Sequence, residues 1–302
     1  MMKRVPLPPW VDREEYPFEP RAFVHRGSRL SYLDEGAGEA AVFVHGNPSW
    51  SFMFRRQILD LRDRYRCLAL DHLGFGLSEK PASAAYTPQA HAERFARFMD
   101  AVESEPVHLV VHDWGGPIGL SWALEHPGRV RSLAILNTWM WSLEESSEAR
   151  RFSAGMGSWP VQQMIRRLGL FERRLMPRSF ANKSLYDRVL SQYRRPFGAA
   201  SERAAVAEFP RQVVGASEWL SSLWRRRGVL ADLPVSIFWA LDDPVFRKAA
   251  LERWTGAFPA ARVERIPGVG HYLAEEMGSR LSPLLAEHLA AAGSRDAGGL
   301  DI

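Results

Sequence analysis

The chain has 302 residues, 46% apolar and 25% charged, with a net charge of +4. That balance excludes disordered, collagenous and coiled-coil chains and suits one large α/β domain, or a domain carrying an insertion. No run reaches the roughly 18 apolar residues of a membrane span. The opening Met1-Met2-Lys3-Arg4-Val5-Pro6 turns to prolines where a signal peptide needs its apolar run. Cys67 is the single cysteine, which excludes an internal disulfide and a multi-cysteine metal cluster and makes a reducing cytoplasm the expected compartment.

In chain order, alternation at Phe23–His25 and Leu30–Leu33 around Gly27-Ser28 predicts an antiparallel hairpin. A strand at Ala41–His45, a helix from Ser51, a strand at Cys67–Leu70 and a helix from Thr87 follow. Thr87 is a natural cap there, and Pro88 fits the first turn because its missing N–H costs nothing. Strand Val107–His112, helix Gly116–Glu125 and strand Val130–Leu136 continue the alternation. It then stops: residues 138–227 read as helices and loops. It resumes with strand Val235–Ala240, helix Arg247–Phe258, strand Arg262–Ile266 and a last helix from Tyr272, with a Gly- and Ser-rich tail after Ala292 expected to fray. Alternating strands and helices predict a mostly parallel sheet of about eight strands covered on both faces. The expected division is a core of residues 1–137 and 228–302, with a helical cap inserted at 138–227.

Catalytic groups in such a sheet collect at the carboxyl ends of the strands. The run Leu109-Val110-Val111-His112-Asp113-Trp114-Gly115-Gly116 has the spacing of a nucleophile elbow, a sharp strand-to-helix turn that lifts one side chain above the sheet. Asp113 holds the nucleophile position, where Ser is commoner; a mere helix cap is the plainer use of an Asp there. Three partners favour chemistry. His45-Gly46-Asn47-Pro48 follows a strand and can supply an oxyanion-hole N–H together with Trp114. Asp242-Asp243 ends the next-to-last strand, and Gly270-His271 follows the last one. Nucleophile, acid, histidine is the chain order of α/β-hydrolases.

With Asp113-Trp114 at the elbow and Asn47 after His45-Gly46, the sequence resembles the haloalkane dehalogenases over nearly its whole length. Asp71-His72-Leu73-Gly74-Phe75-Gly76-Leu77-Ser78 and Tyr193-Arg194-Arg195-Pro196-Phe197 add to the likeness. The resemblance implies Asp113 as nucleophile, His271 as general base, Asp243 rather than Asp242 as the acid orienting it, and Asn47 and Trp114 as halide-binding side chains. Some relatives carry the acid as Glu after strand six, where this chain has Asn137, so the pattern is similar to the third dehalogenase subfamily. It is equally similar to the β-lactone decarboxylases of long-chain olefin synthesis. Trp114 argues against fluoroacetate, since relatives that hydrolyse it carry Arg there. Epoxide hydrolases share the Asp but use two cap tyrosines as acids, and Tyr186 and Tyr193 are the cap's only ones. A luciferase-like oxygenase would favour the Glu missing at 137, and a ligand-binding protein on a dead scaffold would not need the intact catalytic set.

The expected chemistry needs no metal or organic cofactor, and its partners are a small apolar halogenated substrate and the released halide. Trp139 and Trp141 at the cap entrance are core residues first and pocket walls second; Asp71 and His72 read as turn residues. From Arg150 to Arg227 there are 16 basic and 5 acidic residues, with no nucleic-acid-binding signature. Met164, Ile165, Leu168, Leu170, Phe171, Leu175 and Met176 are expected to roof the pocket while Arg166, Arg167, Arg173, Arg174 and Arg178 face water. A sharper expectation is that these arginines also hold the cap near anionic lipid or an acidic partner.

Overall fold

In the computed structural model, residues 4–297 are described. Eight strands form one sheet in the order β1-β2-β4-β3-β5-β6-β7-β8. They are β1 (Arg21–His25), β2 (Ser28–Glu35), β3 (Ala40–Val44), β4 (Arg66–Leu70), β5 (Val107–Asp113), β6 (Val130–Thr138), β7 (Val235–Ala240) and β8 (Arg262–Ile266). The β1–β2 and β2–β4 pairs are antiparallel and the others parallel. The hairpin turns on Arg26 and Gly27, both at positive φ, with His25 opposite Ser28: a two-residue loop whose twist matches the strands. Central strands β3 and β5 are buried along their whole length, as expected of parallel strands covered on both faces.

Helices α1 (Arg55–Leu61), α2 (Pro88–Val102) and α3 (Gly115–Glu125) belong to the first half. Thr87 caps α2 by accepting the Ala90 N–H at 3.3 Å. Between β6 and β7 lie α4 (Ser147–Gly157), α5 (Trp159–Leu168), α6 (Met176–Ser179), α7 (Lys183–Arg194), α8 (Ala204–Gly215) and α9 (Ser217–Arg226). No strand interrupts them among the described residues. The core closes with α10 (Lys248–Ala257), α11 (Leu273–Met277) and α12 (Ser282–Ala297), so the last predicted helix is two helices. The chain stays helical past Ala292 to Ala297, five residues beyond where fraying was expected; 298–302 lie outside the described residues.

The cap departs from the simple two-sided reading. On α5, Gln162 and Ile165 point inward, because the Gln162 amide donates to Met156 O and Ala207 O at 2.8 Å each. That rotation leaves Met164 and Leu168 exposed rather than over the pocket, while Ile165 and Met176 are buried as expected. Trp141 is core, packed on Trp224 and Trp254. Cys67 is buried in β4.

Three buried histidines cluster near the carboxyl ends of β3 and β4: His45 and His72 in the loops that follow them, and His91 on α2. His45 Nε2 accepts the His72 backbone N–H at 3.0 Å, and the His72 and His91 rings sit 5.5 Å apart. Both ring nitrogens of His91 lack a hydrogen-bond partner, and its ring stacks on Phe209. Burial holds His91 well below the ordinary histidine range, helped by the charge of Arg94. The unfolded chain therefore binds a proton here below about pH 6.5 that the native chain refuses, so stability is lost as pH falls. Replacing His91→Phe is expected to remove about 2 kcal/mol of the stability difference between about pH 7.5 and about pH 5. Urea midpoints of parent and variant at the two pH values measure it; an unchanged difference contradicts this account.

Candidate active site

The strand order reverses between β3 and β5, and side chains from the loops after these two strands meet in the crevice so formed. Asp113, the last residue of β5, has φ 51°, a left-handed conformation unusual for a residue with a side chain. α3 begins two residues later. A Cβ at Gly115 would overlap the Val44 carbonyl, and one at Gly46 would overlap the Asp113 carboxylate, so both loops require glycine there. This close approach lets the Asn47 N–H donate to Asp113 Oδ1 at 2.8 Å. The Trp114 N–H also favours the ionised form of the Asp113 carboxylate. Burial pushes the Asp113 carboxyl up from its ordinary range, against the opposing influence of His271 and these two N–H groups.

His271 lies in the loop after β8. Its Nδ1–H donates to Asp243 Oδ2 at 2.9 Å, which fixes the tautomer and leaves Nε2 facing Asp113 Oδ2 at 3.7 Å. Asp243 is encircled by donors: Asn137 Nδ2 at 2.9 Å on Oδ2, and the Val245 and Phe246 N–H groups at 2.7 and 3.2 Å on Oδ1. Burial alone would raise this carboxyl, but the His271 charge and these hydrogen bonds outweigh it and hold it below its ordinary value. His271 is raised in turn: desolvation pulls it down, and Asp243 and Asp113 more than reverse that. Asp242 points elsewhere and accepts the Gly268 N–H at 2.6 Å.

The structure thus brings Asp113, His271, Asp243, Asn47 and Trp114 together. Trp139 joins them: its ring lies 4.5 Å from Trp114 and 5.2 Å from Phe246, which is 5.7 Å from His271. Phe209, from α8 in the cap, packs 5.1 Å from Trp114. Trp139 thus lines the site, the second of the two uses expected of it, whereas Phe209 and Phe246 had no sequence signal, because they come from the cap and from the loop after β7. Asn137 had one, as a polar residue closing a buried strand. It is the extra residue of a bulge in β6, where His112 faces Leu136 but Asp113 faces Thr138, and its φ of 25° swings the amide onto Asp243. His112 was also legible as a polar residue inside a buried strand; its Nε2–H donates to His271 O at 2.8 Å. Asp71 anchors its loop by accepting the Ser51 and Leu77 N–H groups. Tyr186 and Tyr193 are committed elsewhere, their hydroxyls donating to Glu172 O and Glu275 Oε2 at 2.7 Å each. Among the described residues no three His, Cys, Asp or Glu side chains are grouped to hold a metal ion.

The fold and this arrangement define an α/β hydrolase with an aspartate at the elbow. The family model described as alpha/beta hydrolase fold matches residues 41–276. The chain belongs to that family and, within it, to the group of the haloalkane dehalogenases. It is 36% identical to haloalkane dehalogenase 2 of Mycobacterium tuberculosis over 91% of this chain and 96% of that one. It is also 33% identical to a cis-3-alkyl-4-alkyloxetan-2-one decarboxylase of Xanthomonas campestris, over 91% of this chain and 97% of that one. Among solved structures, the haloalkane dehalogenase DatA of Agrobacterium tumefaciens superposes with a TM-score of 0.82 at 25% identity, over 90% of this chain and 96% of that one.

Because Asp243 holds His271 and Asp242 does not, Asp243→Asn is expected to lower the His271 pKa clearly, and Asp242→Asn to lower it far less. An NMR titration of the His271 ring checks this; equal shifts, or the reverse order, would take Asp243 out of the role.

Proposed function

We propose that the protein hydrolyses haloalkanes to an alcohol and halide through an ester on Asp113. The carrying observation is the asymmetry of the Asp113 carboxylate: Oδ1 is occupied by the Asn47 N–H, while Oδ2 faces His271. Oδ2 attacks the halogen-bearing sp³ carbon, and the carbon–halogen bond breaks with its electron pair leaving on the halide. The Trp114 indole N–H and the Asn47 amide N–H stabilise that charge inside an aromatic, water-poor pocket. His271 Nε2 then takes a proton from water, and the resulting hydroxide attacks Cγ of the ester. The negative charge forming on Oδ1 is met by the N–H groups of Asn47 and Trp114. Collapse expels the alkoxide, which takes the proton from His271 to leave as the alcohol, and the resulting Asp113 carboxylic acid loses its proton to solvent, restoring the carboxylate and the neutral base. Asp243 keeps His271 in the required tautomer, with Asn137 steadying Asp243. No step calls on a metal or organic cofactor.

A second reading follows from the decarboxylase relatives, at 30% and 33% identity. On a cis-dialkyl β-lactone the same groups would release the ring carbons as an alkene and the O–C=O unit as CO₂, with no water consumed. Epoxide hydrolysis is disfavoured by the engagement of both cap tyrosine hydroxyls. Assays of halide release from 1,2-dibromoethane and 1-bromobutane, beside CO₂ release from a cis-dialkyl β-lactone, separate the two. Under the dehalogenase reading Asp113→Ala abolishes halide release, and His271→Ala releases about one halide per enzyme and retains an alkyl adduct on Asp113, visible by mass spectrometry. An adduct elsewhere, or full turnover without His271, refutes the assignment.

Two broader features complete the reading. The core comprises residues 1–137 and 228–302 and the cap 138–227, and the protein works in the cytoplasm; no helix among the described residues is long and apolar enough to cross a membrane. The cap nevertheless meets an anionic lipid surface. Exposed on the cap are Phe152, Met164, Leu168 (63%) and Trp159 (74%), together with Arg151, Arg167, Arg173, Arg174 and Arg178. Exposed aromatic and aliphatic side chains between cations match a lipid interface better than an acidic protein, and a second copy would bring like charges together. Each arginine near such a surface contributes about 1 kcal/mol. Co-sedimentation with anionic but not neutral vesicles is expected at low salt, and is lost when Arg166, Arg167, Arg173 and Arg174 become Gln. Equal binding by that variant, or none by the parent, leaves these arginines as a solvated face; binding an acidic protein alone assigns them to that partner class.

A further inference from the structure

The general base sits on a loop that is bonded to the cap as well as to the core. From the core side, His112 donates to His271 O and Asp243 holds the imidazole. From the cap side, the His271 backbone N–H donates to Ser179 O, at the end of α6, at 2.8 Å. One carboxylate spans the two. Glu276, on α11, accepts the Gly270 N–H on Oε1 at 3.0 Å, and the Ala181 and Asn182 N–H groups on Oε2 at 2.9 Å each. The contact is too tight for any side chain at 270, since a Cβ there would run into Ser179 O and the Ala181 N. Tyr272 then stacks flat on Phe180, ring centres 4.5 Å apart. Four consecutive cap residues, 179–182, are therefore fastened to residues 270–272, and Glu276 accepts three of the four backbone hydrogen bonds involved.

A carboxylate meeting three N–H donors makes strong, directional, charge-assisted bonds, and it is only 8% exposed. None of its contacts reaches Asp113 or the Asp243–His271 bond, so it takes no part in the chemistry itself. Its effect is on where the loop lies. His271 Nε2 is 3.7 Å from Asp113 Oδ2, near enough to act on water beside an ester there, and small displacements in such arrangements are costly. The first step, attack by the fixed Asp113 carboxylate, makes no demand on this loop.

We propose that Glu276 is a positioning residue: it ties the loop bearing His271 to cap segment 179–182, so that the base is aligned for ester hydrolysis only while the cap is seated. This rests on the dehalogenase reading for its two-step kinetics, but not for its structural half.

The test uses two variants that break the tie from opposite sides. Glu276→Gln removes the charge and one acceptor. Ala181→Pro replaces one donor by a ring Cδ that pushes against Glu276 Oε2, while keeping the Glu276 charge; the extended Phe180 before it tolerates a following proline. In single-turnover reactions with 1-bromobutane, halide release should stay within about twofold of the parent, while hydrolysis of the Asp113 ester slows about tenfold or more. The Nδ1 proton of His271, followed by ¹H NMR without substrate, should exchange faster with solvent in both variants. Because Ala181→Pro keeps the Glu276 charge, a matching effect in it excludes a purely electrostatic influence on His271. Equal slowing of both steps, an unchanged hydrolysis step, or an effect in Glu276→Gln alone overturns the proposal. If the parent releases no halide at all, the dehalogenase reading fails, and proton exchange alone decides on Glu276: faster in both variants upholds it, unchanged refutes it.

Discussion

A carboxylate buried in a protein must find its compensation there, because the hydration it gives up is worth many kilocalories per mole. Two such groups, Asp113 and Asp243, lie on either side of one imidazole in this protein, and most of the surrounding architecture serves that arrangement. Asp243 is fully supplied, with four donors on two oxygens, and so its ionised form is favoured. Asp113 accepts the Asn47 N–H on Oδ1, and burial leaves it a raised pKa. The difference suits the roles proposed for them: the well-satisfied carboxylate holds the imidazole, and the other leaves Oδ2 facing it.

The same rule governs how the cap is joined to the core. Arg55, almost completely buried in α1, gives two hydrogen bonds of 2.7 and 2.8 Å to Glu275, and the Tyr193 hydroxyl from α7 adds a third to the same carboxylate. Glu275 and Glu276 are neighbours on α11, four and five residues after His271, yet they serve opposite ends of the junction. One binds a core arginine and a cap phenol; the other binds cap and loop backbone. A buried ion pair of this kind adds little to stability against an apolar replacement, but it is costly to break from one side, which makes it a device for fixing geometry. Within the cap, Arg203 and the buried Glu172 repeat the pattern at 2.6 Å.

Around this polar centre the walls are aromatic. Trp114, Trp139, Phe209 and Phe246 come from the elbow, the exit of β6, the cap and the loop after β7, and their rings pack at centroid distances of 4.5–5.2 Å. Such surroundings exclude water and so strengthen every electrostatic interaction within. They also explain why an oily substrate, haloalkane or dialkyl lactone, suits the site better than a polar one.

The sequence by itself determined the sheet, the elbow and the placing of Asp113, Asn47, Trp114 and His271, because these depend on local signals. Apolar runs of strand length, glycines where two backbones must touch, and polar residues at strand ends are all readable without coordinates. Subfamily spacing favoured Asp243 over Asp242, and in the structure Asp243 bonds His271 while Asp242 accepts the Gly268 N–H. What the tertiary structure alone decided were matters of rotation and distance. The face of α5 turned inward could not be read from its apolar residues, because a buried Gln162 amide, not a leucine, occupies the inner position. The bulge that swings Asn137 onto Asp243 depends on β5 pairing with β6 one residue out of step. Glu276 carried no signal either, for its three partners are backbone N–H groups, which every residue but proline possesses, and only folding brings these particular ones within reach.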